Sequence, residues 1–236
     1  MNQVITHHGW GLDSNMWVYV KKEFLENNWT WQDNERGYYS KKTRSPEWLE
    51  SGSDENIEMA ICHSLGTHLI KPSILFKASH VVLLNSFYNF IPQNKERYLT
   101  TRVLKRMEKK FETFELNQMI KEFIHRSFLP NQVESNFQKS LETNLDHLNS
   151  SLLLNDFQEL YKENRSIKLF SKDCNVLIIK SKEDSILRET SCNEFIKLLN
   201  KTQIKKPKVI EIDNQGHLMI NLNIFKLIKK WINQSL

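Results

Sequence analysis

The chain has 236 residues, of which 39% are hydrophobic and 11% aromatic, as expected for one soluble domain with a full core. No apolar run approaches the ~20 residues of a membrane span, which excludes a helical transmembrane protein. Three cysteines without a CxxC pair argue against a disulfide framework and against a cysteine-rich zinc site. The first residues lack the pattern of a signal peptide, so we expect a cytoplasmic protein. We also expect the protein to be a monomer.

The net charge of +5 is concentrated in one segment. Between Lys95 and Arg126 there are nine Lys or Arg residues against five Glu. Such an excess indicates an acidic partner: nucleic acid, an anionic membrane surface or an acidic protein. A solvated helix face is an equally good interpretation. Because no nucleic-acid-binding motif accompanies the segment, nucleic acid is the weakest of these partners.

Short apolar segments alternate with helical patterns in the first 90 and the last 70 residues. The predicted strands are Gln3–Thr6, Trp29–Gln32, the segment beginning at Ile57, His80–Asn85, Asn175–Lys180 and Lys208–Ile212. The predicted helices are Met16–Phe24, capped by Asp13 or Ser14, and then Gly66–Phe76, Arg188–Leu199 and Leu222–Trp231. The polar stretch Asp33–Asp54 is predicted to be a loop with one helical turn near Trp48. This alternation predicts an α/β fold with a mostly parallel sheet covered by helices on both faces.

The alternation stops between residues 92 and 164, where the pattern is helical and shows no strand. An apolar stripe is formed by Leu99, Val103, Met107, Phe111 and Phe114, with the cations Arg102, Arg106, Lys109 and Lys110 on the other side of the helix. Further helices are predicted at Leu116–Phe128, Val133–Leu148 and Ser150–Tyr161. We therefore expect residues 92–164 to be a helical cap inserted into a core formed by residues 1–91 and 165–236. A peripheral helical subdomain without contact to a site is the alternative.

The segment Cys62-His63-Ser64-Leu65-Gly66 joins a buried strand to a helix, which is the layout of a nucleophile elbow. An ordinary strand-turn-helix with a surface serine is the alternative for this fragment alone. Asp184 and His217 follow two later strands, and the order Ser, Asp, His is that of α/β-hydrolases. The carboxyl ends of parallel strands meet at one sheet edge, so the three side chains are expected to converge.

These residue types suit acyl transfer. His217 would take the proton of Ser64 and later return it to the leaving group, while Asp184 would hold the imidazole. Backbone N–H groups of Trp10 and Leu65 would stabilise the oxyanion. The alternatives are a helix N-cap for Asp184 and a loop position for His217. Asp13 precedes the serine and is expected to cap a helix instead.

The oxyanion loop, His8-Gly9-Trp10-Gly11-Leu12-Asp13, followed by Trp17, closely resembles that of the pimeloyl-acyl-carrier-protein methyl ester carboxylesterases of biotin synthesis (the BioH type) within the α/β-hydrolase superfamily. The resemblance extends to Ser64-Leu65-Gly66, the Asp184 loop and Gly216-His217. It implies the triad and oxyanion roles given above and no cofactor or metal. Cys62 and Thr67 depart from the pattern, since small residues, usually glycine, are common at both positions.

The resemblance also implies an acidic acyl-carrier protein as partner, with no nucleic acid or membrane. The candidate docking residues are Arg97, Arg102, Lys105, Arg106, Lys109 and Lys110. Candidates for lining an apolar acyl tunnel, with Trp10, are Phe87, Phe111, Phe123 and Phe128, which could equally be cap core. The leading hypothesis is therefore hydrolysis of the carrier-bound methyl ester through an acyl-serine intermediate. The rivals are a general short-chain carboxylesterase or thioesterase, and a catalytically silent binding protein with the same fold.

Overall fold

A computed structural model describes residues 1–50, 56–133, 137, 139–140, 144–163, 165, 169–219 and 223–235. Within these ranges the strands are β1 Gln3–His7, β2 Thr30–Asp33, β3 Glu58–His63, β4 His80–Leu84, β5 Asn175–Ser181 and β6 Lys208–Ile212. They form one sheet of order β2-β1-β3-β4-β5-β6, in which all the pairings are parallel. The predicted α/β fold with a parallel sheet is confirmed.

The helices of the described residues are α1 Val18–Glu26, α2 Gly66–Leu69, α3 Pro72–Lys77, α4 Arg97–Lys109, α5 Leu116–Phe128, α6 Ser150–Gln158, α7 Glu189–Thr202 and α8 Ile224–Ser235. The helix predicted for Val133–Leu148 and the start of the last helix at Leu222 lie partly outside the described residues. None of the helices that can be described is long and apolar enough to span a membrane.

The four central strands, β1, β3, β4 and β5, are buried on both faces, as continuous apolar strands such as β4 require. Strand β3 shows how alternate side chains serve two cores. Met59 and Ile61 belong to the larger core cluster, whereas Ala60 and Cys62 belong to a second cluster on the other face. Cys62 is fully buried there, and burial raises the pKa of its thiol. Its side chain therefore points to the core behind the elbow.

Two local predictions were wrong. The helix predicted for Gly66–Phe76 is divided, because Pro72 lacks an N–H and disfavours helical geometry at the residue before it. Lys71 accordingly has a ψ of 129°, and a new helix begins with Pro72 at its first position. The helical turn predicted near Trp48 is absent, since residues 45–50 have no regular structure. The indole of Trp48 instead donates a hydrogen bond of 3.2 Å to the carbonyl of Ile74.

The apolar stripe predicted along α4 does not form a continuous buried face. Leu99 and Val103 are 52% and 44% exposed, and Phe114, beyond the end of the helix, is 98% exposed. The residues that α4 buries are Thr100 and Leu104. Periodicity identified a helix correctly, but the neighbouring elements decide which side of it is covered.

Candidate active site

Ser64 stands on the sharp turn between β3 and α2. Its φ of +52° lies in the left-handed region, which is unfavourable for a residue other than glycine and is typical of strained functional turns. The turn presses against the end of β1: a Cβ at Gly66 would lie 2.6 Å from the carbonyl oxygens of both His7 and His8. The backbone N–H of Ser64 donates to the carbonyl of Leu84 at 2.9 Å. Glycine two residues after the serine is thus a steric requirement of the elbow.

Asp184 and His217 are brought together from the ends of β5 and β6. Nδ1 of His217 lies 2.7 Å from Oδ2 of Asp184. A carboxylate only accepts, so Nδ1 carries the proton and Nε2 is left as a base. Oδ1 of Asp184 accepts from the N–H groups of Ile186 and Leu187, each at 2.8 Å. The carboxylate therefore caps the following turn and orients the imidazole at the same time.

His217 lies beside the elbow. The ring of His63, the residue before Ser64, is 4.8 Å from the His217 ring between centroids, and its Nε2 donates to the His217 carbonyl at 2.9 Å. In the described part of the chain no hydrogen bond joins Ser64 Oγ to His217 Nε2. Catalytic hydrogen bonds of free enzymes are often long and tighten when substrate binds.

Asn85, which the sequence analysis overlooked, holds the histidine loop in place. It follows β4 with a φ of +42°, a conformation that asparagine tolerates better than most residues. Its Nδ2 donates to the carbonyl of His217 at 2.9 Å, to that of Gly216 at 3.2 Å and to Oγ of Ser181 at 2.9 Å. Its Oδ1 accepts from the N–H of Ser181 at 2.8 Å. The signal was an amide residue at the carboxyl end of a buried strand.

The oxyanion loop lies against the nucleophile. A Cβ at Gly9 would lie 3.2 Å from Cβ of Ser64, so the two backbones are in close contact. Among the described residues, neither the N–H of Trp10 nor that of Leu65 donates to a protein group. Both are thus available to an oxyanion. Asp13 accepts from the N–H of Asn15 at 3.0 Å, which confirms its predicted role as a cap.

Groups outside the loop fix its shape through hydrogen bonds. The backbone N–H of Arg36 donates to His8 Nε2 at 3.2 Å, so Nε2 is an acceptor and the ring proton is on Nδ1. Nδ1 donates that proton to the Gly9 carbonyl at 2.9 Å. The Tyr39 hydroxyl donates to the carbonyl of Gly11 at 2.7 Å, where the φ of +66° favours glycine. The indole of Trp10 donates to the carbonyl of Leu153 on α6 at 2.8 Å.

A buried ionic cluster connects α6 to the chain that supports this loop. Asp156 on α6 accepts from Arg36 through two atoms, at 2.6 and 2.8 Å, and from the Tyr38 hydroxyl at 2.7 Å. Glu35 lies beside His8, with 3.5 Å between Oε1 and Nε2. Burial opposes ionisation of Glu35, but the hydrogen bonds that its carboxylate accepts from the backbone N–H groups of Ser14, at 2.9 Å, and Gly37, at 3.0 Å, favour the charged form and keep its pKa below the usual value. We find no group of ligands for a metal in the residues that are described.

A cavity of about 590 Å³ opens over Ser64. Its wall includes Trp10 of the oxyanion loop, Leu65 of the elbow, and Phe90 and Ile186 of the core. The helical segment adds the apolar side chains Leu104, Met107, Met119, Phe123, Phe157 and Leu160. The volume is suited to a small acyl chain.

Of the aromatic residues predicted to line an acyl tunnel, Trp10 and Phe123 line the cavity over Ser64, with ring centroids 5.0 Å apart. Phe87, Phe111 and Phe128 do not line the cavity. They pack behind it: Phe87 on Phe90 at 5.2 Å, Phe111 on Phe157 at 5.5 Å and Phe128 on Phe137 at 5.5 Å, measured between ring centroids. These three positions correspond to the alternative that the sequence left open, in which the rings belong to the core.

The candidate docking residues lie in three environments: ion pairs, a groove on α4 and the cavity over Ser64. Arg106 and Lys110 each belong to two of these environments. Arg97 pairs with Glu163 at 2.6 Å, and Lys110 pairs with Glu115 at 3.5 Å. A shallow groove on α4 is bordered by Tyr98, Thr101, Arg102, Lys105, Arg106 and Lys109. Arg106 and Lys110 also line the cavity over Ser64 together with Val103 and Met107. These two cations are therefore not on the side opposite the apolar stripe, as predicted; residues four apart in a helix share a face.

No protein-family model and no curated protein sequence matches the chain. Solved structures do resemble it. A bromoperoxidase from Bacillus anthracis has a TM-score of 0.71 and 15% identity over 99% of this chain and 91% of that one. An esterase from Exiguobacterium antarcticum has a TM-score of 0.67 and 15% identity, over 99% and 91%. A hydrolase from Oleispira antarctica has a TM-score of 0.66 and 16% identity, over 99% and 91%. At these identities the likeness establishes the fold: the chain has the α/β-hydrolase fold.

Proposed function

We propose that the chain is a serine hydrolase of carboxylic esters. The observation that carries this proposal is the 2.7 Å hydrogen bond of Asp184 to His217 beside a left-handed turn that bears Ser64. The esterase and the hydrolase among the similar structures support an ester-hydrolysing reaction.

The proposed reaction has two steps. His217 Nε2 takes the proton of Ser64 as Oγ attacks the ester carbonyl, and Asp184 stabilises the resulting imidazolium. The N–H groups of Trp10 and Leu65 bind the oxyanion, and the imidazolium then gives its proton to the departing alcohol. Water activated by His217 hydrolyses the acyl-serine. No step requires a cofactor.

The helices α4–α6 are proposed to act as a cap, with the boundaries 92–164 expected from the sequence. Support comes from their contacts with the site. The Ser127 carbonyl at the end of α5 accepts from the N–H of Leu218, beside His217, at 2.8 Å. The Arg126 carbonyl accepts from the Ser185 hydroxyl, beside Asp184, at 2.7 Å. A helical segment attached to both loops would influence the site, unlike a peripheral subdomain.

The proposed substrate is pimeloyl-acyl-carrier-protein methyl ester, in a cytoplasmic, monomeric enzyme. Its support is the resemblance of the HGWG-bearing loop, the apolar cavity over Ser64, and the exposed cations Arg102, Lys105 and Lys109 on α4. An acidic carrier protein would be attracted to such a helix. A general short-chain esterase or thioesterase is the second candidate, because the same cavity would hold a free ester.

The test is cleavage of pimeloyl-acyl-carrier-protein methyl ester against a free p-nitrophenyl butyrate, at low and high salt, with Ser64→Ala as the blank. We expect preference for the carrier-bound ester, and salt should reduce it because exposed charges are screened. Turnover of the free ester alone, insensitive to salt, would favour the general esterase. No turnover above the blank with either ester would contradict the proposed reaction.

A further inference from the structure

The wall of the cavity over Ser64 carries an excess of positive charge. Arg106 reaches it from α4, Lys110 from the residue after α4, Arg126 from the last turn of α5 and Arg188 from the residue before α7. Glu122 is the single carboxylate among the described lining residues. Four cations thus line a cavity whose wall also carries many apolar side chains, and these four residues are called the cationic rim below.

Arg106 and Arg126 differ from the other two cations of the rim, which each lie near a carboxylate. Lys110 lies 3.5 Å from Glu115, and Arg188 lies 4.0 Å from Glu96. In the described chain neither Arg106 nor Arg126 forms an ion pair with a carboxylate. Their guanidinium groups, with several N–H donors each, are free to bind an oxyanion such as a carboxylate or phosphate.

Arg126 is attached to the proposed catalytic loops. Its carbonyl accepts from Ser185, the residue after Asp184, at 2.7 Å, and the next carbonyl in the chain, that of Ser127, holds the histidine loop through Leu218. Its side chain lines the same cavity as Ser64. A ligand that reaches the serine therefore passes within reach of this guanidinium.

We infer that the cationic rim selects esters whose acyl part carries an anionic group several carbons from the reacting carbonyl. The inference rests on the proposed function. The apolar wall takes the methylene chain, while Arg106 and Arg126 bind the anion beyond it, which is the terminal carboxylate of a diacid or the phosphate at the end of a carrier arm. The anion has two sources: the free carboxylate of a dicarboxylic acid monoester, or the phosphate of a carrier arm.

The first experiment compares monomethyl pimelate with methyl heptanoate, which has the same chain length and no charge. The ratio of their kcat/KM values is measured in the parent enzyme, in Arg126→Gln, in Arg106→Gln and in the double variant. Because the rim is largely exposed, each loss should lower the preference for the anion about two- to five-fold, mainly through KM, and the double variant about ten-fold. Lys121→Gln removes an exposed cation of α5 that does not line the cavity, and it should leave the ratio unchanged.

A second pair of substrates distinguishes the two sources of the anion. The methyl ester of pimeloyl-pantetheine is compared with that of pimeloyl-4′-phosphopantetheine, which adds only the phosphate. Arginine-dependent preference within this pair assigns the rim to a carrier arm, and preference within the first pair alone assigns it to a free diacid monoester. Binding of both pairs to Ser64→Ala, followed by tryptophan fluorescence, gives a readout that does not need turnover.

Equal kcat/KM for charged and neutral esters, unchanged in the arginine variants, would overturn the inference while leaving the proposed hydrolase intact. Absence of turnover with arginine-dependent binding of the anionic ester would do the reverse. It would retain the anion site and reject the proposed reaction.

Discussion

Asn85 offers the sharpest test of how the fold positions the proposed base. The substitution Asn85→Ala removes four hydrogen bonds, two to the carbonyls of the histidine loop and two to Ser181 at the end of β5. The carbonyls of Gly216 and His217 keep one donor each, from Ser181 Oγ and His63 Nε2. The N–H of Ser181 loses its acceptor.

The cost follows from these contacts. Asn85 is 2% exposed, and a buried N–H left without an acceptor costs about 1–3 kcal/mol. Placing alanine at a φ of +42° adds about 1 kcal/mol. The expected loss in free energy of unfolding is therefore about 2–4 kcal/mol. With the His217 backbone no longer fixed, kcat should fall roughly ten- to a hundred-fold, because small misplacements of a catalytic group are costly.

The assay pairs urea denaturation with p-nitrophenyl butyrate turnover at a temperature where the variant is folded. Gln3→Ala is the matched control. This buried amide makes two 2.9 Å hydrogen bonds to the backbone of Leu49, at the amino-terminal ends of the strands and thus away from the site. It should lose comparable stability with unchanged kcat. If Asn85→Ala is destabilised like the control and also retains its kcat, the amide has no positioning role.

Three further outcomes are expected. Gly66→Ala, whose Cβ would lie 2.6 Å from two carbonyl oxygens at the end of β1, should cost about 1–3 kcal/mol in urea denaturation and lower esterase kcat; unchanged values would show that the elbow can relax. Asp156→Asn leaves the half-buried Arg36 without its counter-ion and should lower the free energy of unfolding by about 2–4 kcal/mol. Asp146→Asn changes an exposed carboxylate and serves as the control; equal stabilities of the two variants would contradict a stabilising role for the buried ionic cluster. Burial lowers the pKa of His68 from 6.5 to about 3. Between these values the unfolded chain binds a proton at this residue and the folded chain does not, so the free energy of unfolding decreases as pH falls from 6.5 towards 3. His68→Gln should reduce the slope of unfolding free energy against pH by about 1.4 kcal/mol per unit, and an unaltered slope would refute this assignment.

The sheet could be predicted because its signals are local. Continuous apolar runs such as Val81–Leu84 are typical of strands buried on both faces, and polar motifs follow where such strands end. Parallel pairing then brings the ends of β5 and β6 to one edge, which is why Asp184 and His217 could be expected to meet. The resemblance of the oxyanion loop added the expected role of the Trp10 N–H.

The features that the sequence did not predict depend on residues that are distant in sequence and close in the fold. Val103 and Phe114 have the spacing of a buried stripe, but Val103 lines the cavity and Phe114, beyond the end of α4, is exposed. The spacing of apolar residues does not determine what packs against them. Asn85 was overlooked because its partners, Ser181 and His217, lie 96 and 132 residues away in sequence. Long-range hydrogen bonds leave no periodic trace in a single sequence.

The most direct test of the central claim is covalent labelling of Ser64. The enzyme is treated with a fluorophosphonate, and the adduct is located by mass spectrometry of peptides. The proposed mechanism predicts one adduct on Ser64, none at that position in Ser64→Ala and much slower labelling in His217→Gln. An unlabelled, folded parent protein, or an adduct on another residue, would contradict a serine hydrolase built on this elbow.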